Sequence, residues 1–583
     1  MMAPNRRFAA FLTFASCSLA TAATALYANP AEACGGTFCD SGPTAMPVDQ
    51  SGENVIFVME PGLVEAHIQI QYDPDTAAEK FAWVIPVQVI PEFTVGSELF
   101  FDAVLNATVP TYGYSSTFDS CGDQAGGSSF TGGVSTGGFD GGAESGTGGD
   151  EGGGGPSVVF RDTVGAFEIA VLEGGSIEEV MMWLADNGYE QDPAAMPILG
   201  QYLDEGFLFA AMKLTHDAGT DTIHPITLRM TTDEACVPLR LTAIAATEDM
   251  DVRTFFFGNE RVVPTNYRHV EVNPLKIDWM NLAANYKDVV TLAVDAESAE
   301  GNAFVTEYAG DDAFVDTNSF YFAGWAPAPG QVAALVDTPV GLYEILEASN
   351  LFYCDTEWDL TCYSNHPLMD GILNQYVPVP DGIERLDFYS CLSCYEGLID
   401  LTAWDAVAFS EALQERIIDP GLRARAIVET YPYITRMYTT ISDVEMNEDP
   451  IFRPNPDLEP VAQRRIAQRQ VHCNDAAHMT LPDGRVVYMP DSNVWPDIFP
   501  DEMPWEETVQ AGTLTGALMP LAQRTEEINA LLAEWNDRSP YERAKDSQGA
   551  CACSTDGNTG AGFAFAGLGL LGLIGLRRRG RKD

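Results

Sequence analysis

From Asn54 to Trp83 apolar and polar residues alternate, with Val64, Ala66, Ile68, Ile70 and Tyr72 interleaved with Glu65, His67, Gln69 and Gln71. A period of two sends successive side chains to opposite faces, so the stretch predicts a half-buried strand with its polar set toward water. The apolar run continues over residues 84–90, cut by Pro86 and Pro91, and the N-terminal region therefore reads as β-rich. Strand patterns return at residues 157–172 (two strands), 207–214, 226–231, 239–246 and 254–257. Ser176 opens a helix with Glu178 and Glu179 in its first turn, ending near Asn187 and Gly188. Residues 288–295 fit strand or helix, whereas beyond Trp404 apolar spacings of three and four predict helices at 406–417, 422–440, 461–470 and 516–535. The expected class is α+β, with a β-rich N-terminal half, a Gly-rich loop, a more helical C-terminal half and a hydrophobic helix at the C-terminal end.

Both ends of the chain read as address labels. Arg6 and Arg7 precede an uncharged run over residues 8–27, and Ala31, Glu32 and Ala33 supply a small-x-small pattern before Cys34. This is the make-up of a secretory signal over residues 1–33, with cleavage between Ala33 and Cys34. Glu32 departs from the small apolar residues of a lipid-attachment box, which favours simple cleavage over lipidation at Cys34. At the other end, Cys551 and Cys553 lead through a polar spacer to an apolar run over residues 561–576 and then to Arg577, Arg578, Arg579, Arg581 and Lys582. As a helix that run spans about 24 Å, and uncharged residues 557–560 extend it to a marginal membrane crossing. The basic cluster would remain cytoplasmic, leaving everything before it outside. The tail, residues 551–583, resembles the myxobacterial C-terminal sorting domain (MYXO-CTERM) in its cysteine-containing start, Gly- and Leu-rich helix and terminal Arg cluster. The resemblance implies export and sorting machinery as partners, and processing or lipid attachment at Cys551 or Cys553 that passes the body to the cell surface.

Charge removes one class of function. Against 85 acidic side chains there are 31 basic ones, a formal balance of −54, and no Lys or Arg occurs between Lys80 and Arg161. A nucleic-acid binder needs a basic face, so none is expected here. An apolar content of 46% still argues for a packed body, because disordered acidic chains lack such material. Residues 122–155 hold 16 glycines in 34 positions, too little apolar surface to offset ordering, and read as a flexible loop. The expected division is therefore 1–33 signal, 34–121 β-rich start, 122–156 loop, 157–400 α+β remainder, 401–550 more helical region and 551–583 tail.

Of twelve cysteines, Cys17 falls in the signal and Cys551 and Cys553 in the tail, leaving nine. In an exported chain these are expected as disulfides with one left over. Cys34 with Cys39, Cys354 with Cys362, and Cys391 with Cys394 are the local candidates, while Cys121, Cys236 and Cys473 have no assigned partner. Cys354, Cys362, Cys391 and Cys394 are also four thiolates that would suit zinc, but the upstream spacing of seven intervening residues and the oxidising compartment favour disulfides. Gly133-Val134-Ser135-Thr136-Gly137 matches a nucleophile elbow in letters only, without a strand before or helix after it. His472, Cys473 and His478 would touch a metal only if folded together, and Asp311-Asp312 or Glu506-Glu507 would serve acid–base chemistry only in a cleft. Calcium, through oxygen ligands, is the one cofactor the acidity favours, although no calcium-loop pattern occurs; catalytic residues cannot be named.

The segments Ala33-Cys34-Gly35-Gly36-Thr37-Phe38-Cys39, Pro47-Val48-Asp49-Gln50, His67-Ile68-Gln69-Ile70-Gln71-Tyr72 and Phe81-Ala82-Trp83-Val84-Ile85-Pro86 resemble a secreted bacterial family, domain-of-unknown-function family 2330. Trp183-Leu184-Ala185-Asp186-Asn187-Gly188-Tyr189, Pro264-Thr265-Asn266-Tyr267 and Tyr433-Ile434-Thr435-Arg436-Met437-Tyr438-Thr439-Thr440 extend the resemblance over most of residues 34–460. It implies export and no assigned activity. The reading is an exported cell-surface or secreted protein with a structural, adhesive or binding role. The alternatives are an extracellular hydrolase with a non-local site and a tail-anchored periplasmic envelope protein. A pocket joining a histidine to Ser, Asp or Glu would favour the enzyme, and an exposed apolar patch would favour binding.

Overall fold

The computed structural model describes residues 37–38, 50–70, 82–120, 155–189, 194–215, 222–244, 246–538, 540 and 543. The signal, Ala33, Cys34, Cys39, the glycine-rich segment with Ser135, and the tail with Cys551 and Cys553 lie outside the described residues.

A ten-stranded mixed sheet forms the centre. Its order runs Met519–Gln523, Glu506–Ala511, Arg268–Val272, Ala303–Asp311, Tyr433–Ile441, Ala246–Gly258, Gln50–Glu60, Leu63–Ile70, Ile226–Met230 and Glu92–Val95. Strands from residues 34–121, 157–400 and 401–550 thus share one sheet.

Alternation along Gln50–Glu60 sends Val55 and Phe57 to one face and Ile56 and Val58 to the other, and both faces are buried. Val55 and Phe57 pack with Ile85, Phe167, Ile169 and Met212 of a five-stranded sheet, which carries Ile177–Asp186 and Ala195–Asp204 on its outer side. Ile56 and Val58 pack beneath a helical layer that includes Glu98–Thr108, Pro367–Tyr376, Ala406–Leu413 and Asp419–Thr430. A separate four-stranded sheet, Val486–Met489, Ala477–Thr480, Arg464–Val471 and Thr111–Phe118, encloses its own core with Trp279 and with Trp535 of the helix Thr525–Asp537.

Mixed helix and strand bear out the α+β class. The helix expected at Ser176 is Ile177–Asp186, closed by a full capping box in which Ser176 Oγ accepts from Glu179 N and Glu179 accepts from Ser176 N. Residues 288–295, open between strand and helix, fall in the helix Tyr286–Val294 and its C-cap, Asp295.

The more helical C-terminal half is corrected in three places. The helix expected over 422–440 ends at Thr430, and after Pro432 the β-branched and aromatic run Tyr433–Ile441 becomes a strand inside the main sheet. Residues expected to be helical over 461–470 form the strand Arg464–Val471, because Thr111–Phe118 pairs with it along its whole length and tertiary pairing overrides a weak spacing signal. In 516–535 a strand, Met519–Gln523, precedes the helix. The strand expected at 239–246 begins instead as the short helix Leu239–Thr242 behind Pro238, before Ala246–Gly258 starts. The helix Glu98–Thr108, capped by Ser97 Oγ accepting from Phe100 N, and the strand Thr111–Phe118 carry no sequence expectation.

Candidate functional site

The polar face of Leu63–Ile70 does not meet water. Glu65, His67 and Gln69 are 4%, 3% and 8% exposed, as deeply set as the core around them. Register explains the grouping: His67 stands opposite Thr227 and Glu65 opposite Arg229 on the neighbouring strand, and cross-strand partners share a face. The helices Glu98–Thr108 and Asp419–Thr430 then close over that face.

A buried polar row needs partners, and each member has one. Asn54 Nδ2 donates to Gln69 Oε1 at 2.7 Å, and Gln69 Nε2 donates to Glu98 Oε1 at 2.5 Å. Arg423 grips Glu65 with Nε at 2.8 Å and Nη2 at 2.6 Å. Glu65 Oε1 lies 3.0 Å from His67 Nε2, and Thr227 Oγ1 lies 3.0 Å from His67 Nδ1.

Burial alone would raise the Glu65 carboxyl, but the hydrogen bonds and charges of His67 and Arg423 outweigh it and hold it at about 2. An ionised carboxylate only accepts, so in the neutral imidazole Nε2 carries the hydrogen and Nδ1 accepts from the Thr227 hydroxyl. Glu98, one step along the row, is pushed by burial up to about 7, against its bond from Gln69 and with the charge of Asp102.

Above this floor opens a cavity of about 410 Å³. Its rim carries Glu92, Ser97, Arg229, Asp419 and Arg423, and so both signs of charge. Asp419 and Pro420 begin their helix after a π-helical turn, Gln414–Ile418, and Pro420 brings no backbone N–H to the junction.

Hydroxyl, imidazole and carboxylate in series are the parts of a nucleophile–base relay. Two features weaken that chemistry here. Thr227 is 3% exposed, and the fork of Arg423 draws on the same carboxylate charge that an imidazolium at His67 would need. What the arrangement does without difficulty is hold donors and acceptors in fixed positions beneath a cavity.

Among the cysteines, Cys354 and Cys362 are bonded at 1.96 Å across a two-stranded hairpin, and Cys391 and Cys394 at 2.00 Å. No thiolate of these four remains for zinc, and among the described residues no group of three or more His, Cys, Asp or Glu is arranged to hold a metal ion. Cys473 is also disulfide-bonded, and Cys236 is the free cysteine among the described residues. His472 and His478 do come together, Nε2 to Nδ1 at 2.6 Å, with Asp119 Oδ2 at 2.8 Å from His472 Nδ1. Glu506 and Glu507 bind different arginines, Arg524 and Arg485, and form no acid pair. Burial and the charge of neighbouring Asp311 push Asp312 up to about 6.

A bacterial family described as an uncharacterized protein conserved in bacteria, domain-of-unknown-function family 2330, matches residues 29–329. The chain belongs to this family. The family 2330 segment supplies Glu65, His67, Thr227 and Arg229, whereas Arg423 and Asp419 reach the pocket from beyond it. The motif from Tyr433 to Thr440 also lies beyond the match, although its strand, Tyr433–Ile441, sits between Ala246–Gly258 and Ala303–Asp311 of the family segment. No curated protein and no solved structure matches the chain.

Proposed function

We propose that the protein is exported and acts outside the cytoplasm as a binding protein, with the cavity above Glu65, His67 and Thr227 as its recognition site. The observation that carries this reading is the preorganised floor, in which both imidazole nitrogens and both oxygens of an ionised carboxylate are held in place before a ligand arrives. The mixed charge of the rim suits a small polar ligand that offers donors and acceptors together, such as an amino acid, a short peptide or a sugar.

Export is supported by the bonded pairs Cys354–Cys362 and Cys391–Cys394, since disulfides persist in oxidising compartments. In this reading the signal leaves between Ala33 and Cys34. The tail is then processed or lipidated at Cys551 or Cys553 by the sorting machinery, placing the body at the cell surface or in the medium. An uncut tail would instead anchor it in the inner membrane, facing the periplasm.

Calorimetric titration of the purified protein with a panel of amino acids, peptides and sugars tests recognition. A saturable ligand whose affinity falls about tenfold or more in Arg423→Ala is expected, because a hydrogen bond to a charged group contributes roughly 1.5–3 kcal/mol. A panel with no binder, or a binder indifferent to both Arg423→Ala and His67→Gln, overturns the reading.

The hydrolase reading is favoured by one observation, the Thr227–His67–Glu65 series. Turnover of a bound ester or amide that stops in Thr227→Val while binding persists would establish it in place of simple binding.

A further inference from the structure

A second cavity, of about 430 Å³, lies between the main sheet and the four-stranded sheet. Arg261, Arg464 and Arg465 line it, with Tyr112 and Trp279 as aromatic walls. Arg261 is 8% exposed, yet among the described residues none of its hydrogen bonds goes to a carboxylate. Its Nη1 donates to the Glu459 carbonyl at 2.9 Å and its Nη2 to Thr306 Oγ1 at 3.3 Å, with His269 Nε2 at 3.4 Å, and its Nε has no partner among the described residues. Arg465 repeats the pattern: Nη2 donates to the Glu307 carbonyl at 3.1 Å, Nη1 has no partner among the described residues, and the guanidinium lies 5.2 Å from the centre of the Tyr112 ring.

Such unpaired cations stand out in a chain with 85 acids. Of the nearby acids, Asp483 and Glu507 are paired with Arg485 and Glu307 with Arg436, while Glu271, which accepts from the Thr508 hydroxyl at 2.8 Å, acts on Arg261 only through space. His269 donates from Nδ1 to Gln510 Oε1 at 3.2 Å, and its Nε2 lies 2.9 Å from Thr306 Oγ1 and 3.4 Å from Arg261 Nη2, so it offers Arg261 a neutral acceptor and no charge.

A buried charge without a direct ion-pair partner is costly, and an anion in the adjoining cavity would relieve the cost. The lining balances three arginines against the three acids Glu271, Asp483 and Glu507, but Arg485, from outside the lining, pairs with two of those acids and brings the local balance to one surplus positive charge. We propose that this cavity binds a small organic carboxylate, a single negative charge on a flat apolar body, with the guanidinium of Arg465 taking the carboxylate and the aromatic walls taking the ring.

Benzoate is the probe, titrated calorimetrically against the full chain beside benzamide, its uncharged isostere, and inorganic phosphate. Saturable benzoate binding, absent for benzamide and weakened about tenfold or more in Arg465→Met, is expected from loss of one charge-assisted contact. Arg465 is only partly buried, so this variant keeps the fold where Arg261→Met endangers it, and circular dichroism verifies that. Equal responses to benzoate and benzamide, phosphate binding more tightly than benzoate, or benzoate affinity unchanged in folded Arg465→Met would each overturn the proposal.

Discussion

Replacing Glu65 by Gln removes one charge from the floor of the candidate site while keeping its shape. The folded carboxyl sits at about 2 against an ordinary 4.5, so the native state favours the ionised form. A depressed pKa contributes stability that is fully present above 4.5 and is lost as pH falls from 4.5 toward 2. The difference corresponds to about 3 kcal/mol at neutral pH, and the 40% exposure of the Arg423 side chain lowers this toward about 2 kcal/mol through solvent screening. Urea unfolding, followed by tryptophan fluorescence at about pH 7 and about pH 2, reads the effect as a shift in midpoint. The variant should be less stable than the parent by about 2–3 kcal/mol at the higher pH and within about 0.5 kcal/mol of it at the lower, where the folded parent carboxyl is about half protonated and the unfolded one fully so. A loss of the same size at both pH values, or none at neutral pH, would refute the claim that His67 and Arg423 hold an ionised Glu65.

Glu53 presents the opposite sign: burial pushes it up to about 7, so the parent loses stability as pH rises from 4.5 through 7. Glu53→Gln should match the parent near pH 4 and exceed it by about 2–3 kcal/mol near pH 8, again in urea midpoints. Gly165 holds φ at +58°, and a Cβ there would collide with His224 Nε2, so Gly165→Ala should cost about 2 kcal/mol or more in the same assay. Cys354→Ser opens a cross-link between residues eight apart and should cost about 2 kcal/mol, with proteolysis appearing in the hairpin around exposed Trp358.

The strand at Leu63–Ile70 was legible because alternation is a local signal, and the Ser176 cap because Ser and Glu three apart meet on their own turn. The destination of the polar face was not legible. Arg423, which gives Glu65 its charge partner, is 358 positions away, and no spacing rule links them. Glu65, His67 and Gln69 stood in plain view within the alternation, but a period of two separates the faces of a strand without saying which one a helix will cover. The same gap explains the strand at Arg464–Val471. Its residues look helical until Thr111–Phe118, some 350 positions earlier, pairs with them in parallel. Cys354–Cys362 needed only neighbours facing each other across a hairpin, whereas the grouping of Arg261 with Arg465 depends on two sheets meeting.

Export governs everything proposed for this protein, and one measurement reaches it directly: the intact mass and thiol count of the native protein from cytoplasmic, membrane, surface and medium fractions. The expected result is a chain lacking residues 1–33, outside the cytoplasm, in which Cys354, Cys362, Cys391 and Cys394 resist alkylation until a reductant is added. A full-length chain in the cytoplasm with those four thiols freely alkylated would contradict it.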